Sequence, residues 1–429
     1  MTRKHISVQI YTGSADSPVA GFEPKSIISK LSKIYEKLQL ACVMIGWDPG
    51  ADIGGIIDYV KQRGTDVYLW LPVFSGWDGM KPLIGERGGE IEQHYRTDSG
   101  ERFDFGCPAH PENVKSTILR FETLYRKHAY DGVFLDKIRF PGFMFGAHPI
   151  FSCFCDYCRQ LHGISGGFEA RGGENPLHLT AYDGTRYILG DETISRLFKY
   201  KADAVSASIA GLTGYFRESG YKIGLDLLSP FLAFFVGQDY RKLLPLADFV
   251  KPMFYRITNA PAGIPFELDM YASAFGGGQQ VADRRKSYLL DLLGTSEIGV
   301  EFVNREIKSI RSCDSCNAAS TSNTASAFSA TNAVTASAAS TVSTVSAATV
   351  ANNASAANTA TTANAANATN SALIYAGVEI NRIKNIAPVT AQYINENLTR
   401  IDNVDGFTLS WDLNTAQPAD IDAALDCLS

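Results

Sequence analysis

Five carboxylates stand in or beside apolar runs of the chain: Asp48, Asp136, Asp226, Glu379 and Asp412. Two carboxyl groups facing one cavity are the minimum apparatus for glycoside hydrolysis: one protonates the leaving oxygen, the other acts as nucleophile or base. Asp136 leads the set. It closes the apolar part of Asp131-Gly-Val-Phe-Leu-Asp136-Lys137-Ile-Arg139-Phe-Pro141, a run that reads as a buried strand ending in a carboxylate, two cations and a breaking proline. Glu379 is its expected partner across the mouth of the fold, with Asp226 next in line. A separation of roughly 5 to 5.5 Å between the pair would mean retention, and roughly 6.5 to 9.5 Å inversion. The plainer reading of Asp136 is a fixed ion pair with Lys137 or Arg139.

Around these carboxylates lie groups suited to holding a sugar. Trp47, Trp70, Trp77 and Trp411 all fall at or just beyond strand ends, where flat aromatic faces suit the apolar faces of sugar rings. Trp also favours half-buried rims for purely structural reasons. Lys251 and Tyr255 share the apolar segment Asp248-Phe-Val-Lys-Pro-Met-Phe-Tyr255; a lysine there needs a partner charge, whether a substrate group or a structural carboxylate. Arg139 has the fork to clamp a carboxylated or sulfated ligand. All seven histidines precede residue 179 and none forms HxH or HExxH, so no catalytic metal is expected.

The cysteines form the sharpest local pattern. Cys153-Phe-Cys155-Asp-Tyr-Cys158, with Cys107 upstream, offers four thiolates to a closed tetrahedral zinc site; unpaired core cysteines are the alternative. Cys313 and Cys316 form a lone CxxC to which no metal is assigned.

The elements that must position these residues alternate. Strand-like runs cover residues 6–11, 42–47, 67–71, 132–140, 222–228, 249–255, 374–382 and 406–411. Helical periodicity covers 24–40, 53–63, 110–128, 194–219, a short 240–246, 282–293 with 297–310, 390–400 and 419–427. Eight strand-helix repeats predict a (β/α)8 TIM barrel, with chemistry at the C-terminal ends of the strands. A doubly wound open sheet is the competing fold, but the turn Tyr11-Thr-Gly-Ser14 lacks the GxGxxG of a nucleotide site. One barrel domain is expected over residues 1–429, with two excursions. Residues 142–191 form a cysteine-bearing, zinc-binding loop after strand four. Residues 313–371, almost wholly Ala, Ser, Thr and Asn, form a low-complexity insertion before strand seven that is expected to be disordered, since it buries too little apolar area to offset chain entropy.

Composition narrows the partners. With 45% hydrophobic residues the chain can build a core, and a net charge of −6 with no basic cluster argues against nucleic acid. No run approaches a membrane span, and residues 1–5 lead straight into a strand without a signal-peptide apolar region, which predicts a cytoplasmic protein with reduced cysteines. The oligomeric state is not legible.

Two segments resemble known families of barrel glycoside hydrolases. Cys107 before the strand-four helix, followed by Cys153, Cys155 and Cys158, looks like the structural zinc cluster of family 42 β-galactosidases. The segment from Asp131 to Pro141 is similar to the strand-four segment of uncharacterised, hydrolase-like barrel proteins. Where family 42 keeps an Asn-Glu pair, this chain has Lys137 and Ile138, so the resemblance does not extend to β-galactosidase activity. It implies a barrel, a zinc loop, Asp136 as the strand-four carboxylate and Glu379 in the strand-seven position of a nucleophile. The expected function is therefore a glycoside hydrolase acting on a carbohydrate, with zinc as a structural ion and no catalytic cofactor. The alternatives are a non-catalytic sugar-binding barrel and a lyase or aldolase using Lys251 as a Schiff base.

Overall fold

The computed structural model describes residues 4–14, 17–19, 22–97, 101–168, 172–320 and 371–428. Eight parallel strands close into one barrel: β1 His5–Tyr11, β2 Cys42–Gly46, β3 Asp66–Pro72, β4 Gly132–Asp136, β5 Lys222–Leu228, β6 Phe249–Met253, β7 Leu373–Glu379 and β8 Gly406–Ser410. Strand follows strand around the ring in chain order, and β8 pairs back to β1 through Ile6↔Phe407 and Val8↔Leu409. This is the (β/α)8 architecture expected.

Both faces of each strand are buried, which is why the strands read as continuous apolar runs. The outward face, including Val8, Ile10, Val43, Ile45, Leu69, Val133 and Leu135, packs against the surrounding helices. Inside, Tyr68, Phe134, Phe249 and Tyr375 plug the lower barrel, with Phe249 stacked on Phe134 at 5.8 Å and on Tyr375 at 4.9 Å. Gly224 makes room for this plug: a Cβ there would lie 2.4 Å from Phe249. Polar residues occupy the layer above, so the aromatic plug is the floor of the site.

The helices that matter here are α1 Pro24–Tyr35, α2 Gly54–Lys61, α3 Pro111–Arg120, α4 Asp156–His162, α5 Glu192–Glu218, α6 Ile264–Ser273, α7 Gly278–Leu292, α8 Val300–Ser320, α9 Ala391–Arg400 and α10 Pro418–Leu428. Several differences from expectation have local causes. Strand β4 stops at Asp136 rather than residue 140 because Lys137 takes a left-handed backbone (φ 52°), which breaks the ladder and turns the chain over the barrel mouth. The helix expected over 110–128 continues beyond α3 as a π-helical turn, Phe121–Tyr125. Helix α6 escaped the periodicity reading, since its apolar residues do not keep to one face. Helix α8 runs on to Ser320, past Cys313 and into the Ala- and Ser-rich sequence, while residues 321–370 of the expected insertion lie outside the described residues.

Candidate active site and metal centre

Asp136 and Asp226 are neighbours. The register Leu135↔Leu225 between β4 and β5 puts the next residues of both strands side by side, facing the barrel interior. Asp136 is 8% exposed and Asp226 2% exposed. Each oxygen of Asp136 accepts a fixed donor: Trp70 Nε1 at 2.9 Å and the Lys137 backbone N–H at 2.5 Å. The left-handed turn at Lys137 is what aims that N–H back at the carboxylate.

Asp226 has a different environment. Its Oδ2 accepts from Lys251 Nζ at 2.9 Å, whereas its Oδ1 is buried without a hydrogen-bond partner among the described residues. Burial pushes the Asp226 carboxyl up to about 7; Lys251 opposes the shift, and the charges of Asp136 and Glu101 add to it. Burial also disfavours the Lys251 ammonium, but Asp226 and Tyr255 outweigh it and hold its pKa above the ordinary lysine value. Lys251 is thus an ammonium at neutral pH, with Gln9 Oε1 as a second acceptor at 2.8 Å.

The other expected residues divide between this site and elsewhere. Trp47 and Trp70 pack edge-to-face at 5.6 Å, and Tyr11 meets Trp47 at 5.2 Å, so three rings form one wall of the mouth. Trp411 is half-buried beside Tyr255, 6.2 Å between centroids, and Tyr255 lies by Lys251. Arg139 is buried over Phe105; burial lowers its pKa against the opposing charges of Glu267 and Asp136. Trp77 is set apart: its Nε1 donates to the Val73 carbonyl at 2.9 Å and its ring packs on Arg120 of α3.

Glu379, the expected partner of Asp136, is held by the loop after β6 and by α9. Its Oε1 accepts from Ile257 N at 3.1 Å and Thr258 Oγ1 at 3.2 Å, and its Oε2 from the Tyr393 hydroxyl of α9. The side chain is fully buried between the loop after β6 and α9; burial raises its pKa, against the lowering effect of Tyr393 and the Ile257 N–H. Asp412 is likewise consumed by loop geometry, accepting from the Tyr11 and Asn414 backbone N–H groups at 2.9 Å each.

Sequence reasoning missed Glu101. It comes from the long segment between β3 and α3 and sits 3.2 Å from Lys137 Nζ, while Lys137 also donates to the Arg102 carbonyl. Lys137 lies over the rings of Phe103 at 4.0 Å and Trp47 at 4.3 Å, so this segment roofs the mouth. Irregular loops carry no periodic signal, and nothing in the spacing of Glu101 marked it.

Cys107, Cys153, Cys155 and Cys158 converge, with all four sulfurs within 4.8 Å of one another. Tetrahedral thiolate sites with metal–sulfur bonds of about 2.3 Å have sulfur–sulfur edges of about 3.8 Å, so the cluster has the ligands and spacing to hold a metal ion. Its surroundings fit as well. Backbone N–H groups of Ile84 and Cys155 point at Cys153 Sγ at 3.3 and 3.4 Å. His162, the nearby imidazole, is committed to the Cys153 carbonyl at 3.1 Å and the Ile164 N–H at 2.9 Å. Because Cys107 ends the roofing segment and the other three follow β4, the cluster joins the two loops that cover Asp136.

With this geometry in hand, comparison with solved structures supports the fold. The chain is similar to the glycoside hydrolase domain of PgaB (BpsB) from Bordetella bronchiseptica, with 12% identity and a TM-score of 0.53 over 100% of this chain and 99% of that one. It is also similar to the GH18 chitinase ChiB of Flavobacterium johnsoniae, with 9% identity and a TM-score of 0.42 over 100% and 94% of the two chains. At 12% identity the likeness to the PgaB domain is one of barrel fold. No protein-family profile matches the chain, and no curated protein matches it. Among the described residues no helix is long and apolar enough to cross a membrane.

Proposed function

We propose that this protein is a glycoside hydrolase in which Asp136 and Asp226 are the catalytic carboxylates. The observation that carries the proposal is the contrast within one buried pair: both oxygens of Asp136 are held by donors, while Asp226 is pushed up to about 7 and keeps a free oxygen. Adjacent parallel strands lie about 4.8 Å apart, which favours the short carboxyl separation of a retaining enzyme. In the first step an Asp136 oxygen bonds to the anomeric carbon as the glycosidic C–O bond breaks, and the Asp226 proton passes to the leaving oxygen. In the second, water adds to the anomeric carbon, the Asp136 ester bond breaks, and the water proton returns to Asp226. Carbohydrate is therefore the proposed partner, and Trp47, Trp70 and Trp411 are its proposed aromatic contacts.

The ion pair with Asp226 favours the glycosidase over the aldolase reading. A Schiff-base lysine must be a neutral amine, whereas Lys251 is held protonated against Asp226. The cysteine cluster is proposed to bind a structural zinc ion, coordinated by Cys107, Cys153, Cys155 and Cys158. Its role would be to fix the roof that carries Glu101 and Arg102 over the mouth.

Wild-type protein is to be screened against 4-nitrophenyl glycosides, and the active one repeated with a 2-deoxy-2-fluoro glycoside that stalls the covalent intermediate. Mass spectrometry should find the sugar on the peptide containing Asp136. Turnover without any covalent adduct would refute retention, and a label on another carboxylate would refute the assignment.

A further inference from the structure

Gln9 is a buried strand residue that no reading of the site has yet used. It lies on β1, 0% exposed, facing the barrel interior one position past the Val8↔Leu409 pair. Its Oε1 accepts from Lys251 Nζ at 2.8 Å and from Ser410 Oγ at 3.1 Å. This fixes which way the amide points, because an ammonium can only donate, so the atom facing Lys251 must be the oxygen. The amide nitrogen is then turned away from Lys251, and Nε2 is buried without a hydrogen-bond acceptor among the described residues.

The same lysine pins Asp226 through Oδ2 and leaves Oδ1 without a partner. Lys251 therefore holds two groups at once, each by one atom, and each with its second polar atom unspent: an N–H donor on Gln9 and a carboxyl oxygen on Asp226. Trp47 adds a third unspent buried polar atom, its Nε1 donor. A buried donor left without a partner is destabilising, which points to a ligand that satisfies it. Gln9 cannot be read as a mere acceptor for Lys251, since a carboxylate would serve an ammonium better. The amide supplies what a carboxylate lacks, an N–H.

Resting on the glycosidase reading above, we propose that Gln9 is a specificity-determining residue: its Nε2–H donates to a hydroxyl oxygen of the sugar whose bond is cleaved, while Lys251 acts as the positioning residue that orients Gln9 and Asp226 together. The ligand class is a glycoside carrying a free ring hydroxyl at the position Gln9 reads. Sites built to bond a hydroxyl strongly reject analogues lacking it.

The test is a cycle between enzyme and substrate, run with the 4-nitrophenyl glycoside cleaved by wild type and its set of monodeoxy analogues. In wild type, removal of one particular hydroxyl should lower kcat/KM about 10- to 100-fold more than removal of the others. In Gln9→Glu, which keeps an acceptor for Lys251 and Ser410 but has no N–H, kcat/KM on the parent should fall by a similar factor and the penalty for that one deoxy analogue should vanish. Gln9→Glu with undiminished turnover and an unchanged deoxy penalty would overturn the proposal while leaving the glycosidase reading intact. If Gln9→Glu does not fold, the wild-type series still decides, because equal tolerance of every deoxy analogue overturns it too. A wild type that cleaves no glycoside refutes the glycosidase reading and this proposal with it.

Discussion

The barrel mouth and the cysteine cluster are both buried, and they share the loops that follow β3 and β4, but they spend their polar groups in opposite ways. The four sulfurs turn on one another, with backbone N–H groups behind Cys153 and a committed imidazole beside it. In the mouth, Gln9, Trp47 and Asp226 each keep a buried polar atom without a partner among the described residues. A closed cluster has room for one small ion and nothing else. The mouth instead leaves donors and an acceptor unspent beside aromatic rings, the observation on which the proposed sugar site rests. The difference matches the roles proposed for them, one region holding the structure and the other doing chemistry.

The largest effect should come from the mouth. Asp136→Asn removes the proposed nucleophile but leaves an amide oxygen to accept from Trp70, so kcat should fall by about 10³-fold or more with the fold intact. Circular dichroism and turnover on the same preparation check this; a variant hydrolysing at the wild-type rate breaks the contrast between the two regions. Cys155→Ser should do the reverse. It should release the metal and lower the melting midpoint, with activity declining only as the roof loosens. Metal content by mass spectrometry decides it, and wild-type protein that carries no zinc would remove the structural assignment.

A smaller effect lies in the pH profile. If Asp226 is the acid, its protonated form is required, so kcat/KM should fall about tenfold per pH unit above a limb near pH 7. Lys251→Met removes the charge that draws the Asp226 pKa down and should move that limb to higher pH. Stability follows the same sign. Because the folded pKa of Asp226 is raised, its contribution is fully present below the ordinary carboxylate range and is lost as pH rises toward about 7. A profile flat from pH 6 to 9 would exclude Asp226 as the acid.

The barrel and the cysteine cluster were legible because each rests on a local pattern: apolar runs of strand length bounded by breakers, and thiols at metal-ligand spacing. Asp136 was legible for the same reason, as the end of such a run. The direction of Glu379 was not. Position at a strand end says that Glu379 lies near the top of β7, but its direction is set by Tyr393 on α9 and by Thr258 after β6, contacts that no spacing records. Nor did spacing record the contacts of Trp77 with Arg120 and the Val73 carbonyl. Gln9 and Glu101 carried no signal. A lone glutamine in a strand reads as one polar position, and its meaning comes from Lys251, 242 residues away.

Glu379 supplies the smallest expected effect and the closest check on which carboxylates react. Glu379→Gln keeps an oxygen to accept from the Ile257 N–H and Thr258 hydroxyl, and offers an amide that can donate to the Tyr393 oxygen. Three hydrogen bonds can thus survive the change, and the cost of burying a carboxyl disappears. Stability should shift by about 1 kcal/mol or less, and kcat should stay within a few-fold of wild type. A catalytic carboxylate would not tolerate this substitution: the amide can neither form a glycosyl ester nor transfer a proton, and activity would fall about 10³-fold. Measured beside Asp136→Asn and Asp226→Asn under one set of conditions, Glu379→Gln separates the two pairings. Near-normal turnover leaves Asp136 and Asp226 as the pair, whereas a collapse with an unchanged melting curve would restore Glu379 and require the loop after β6 to release it toward the mouth.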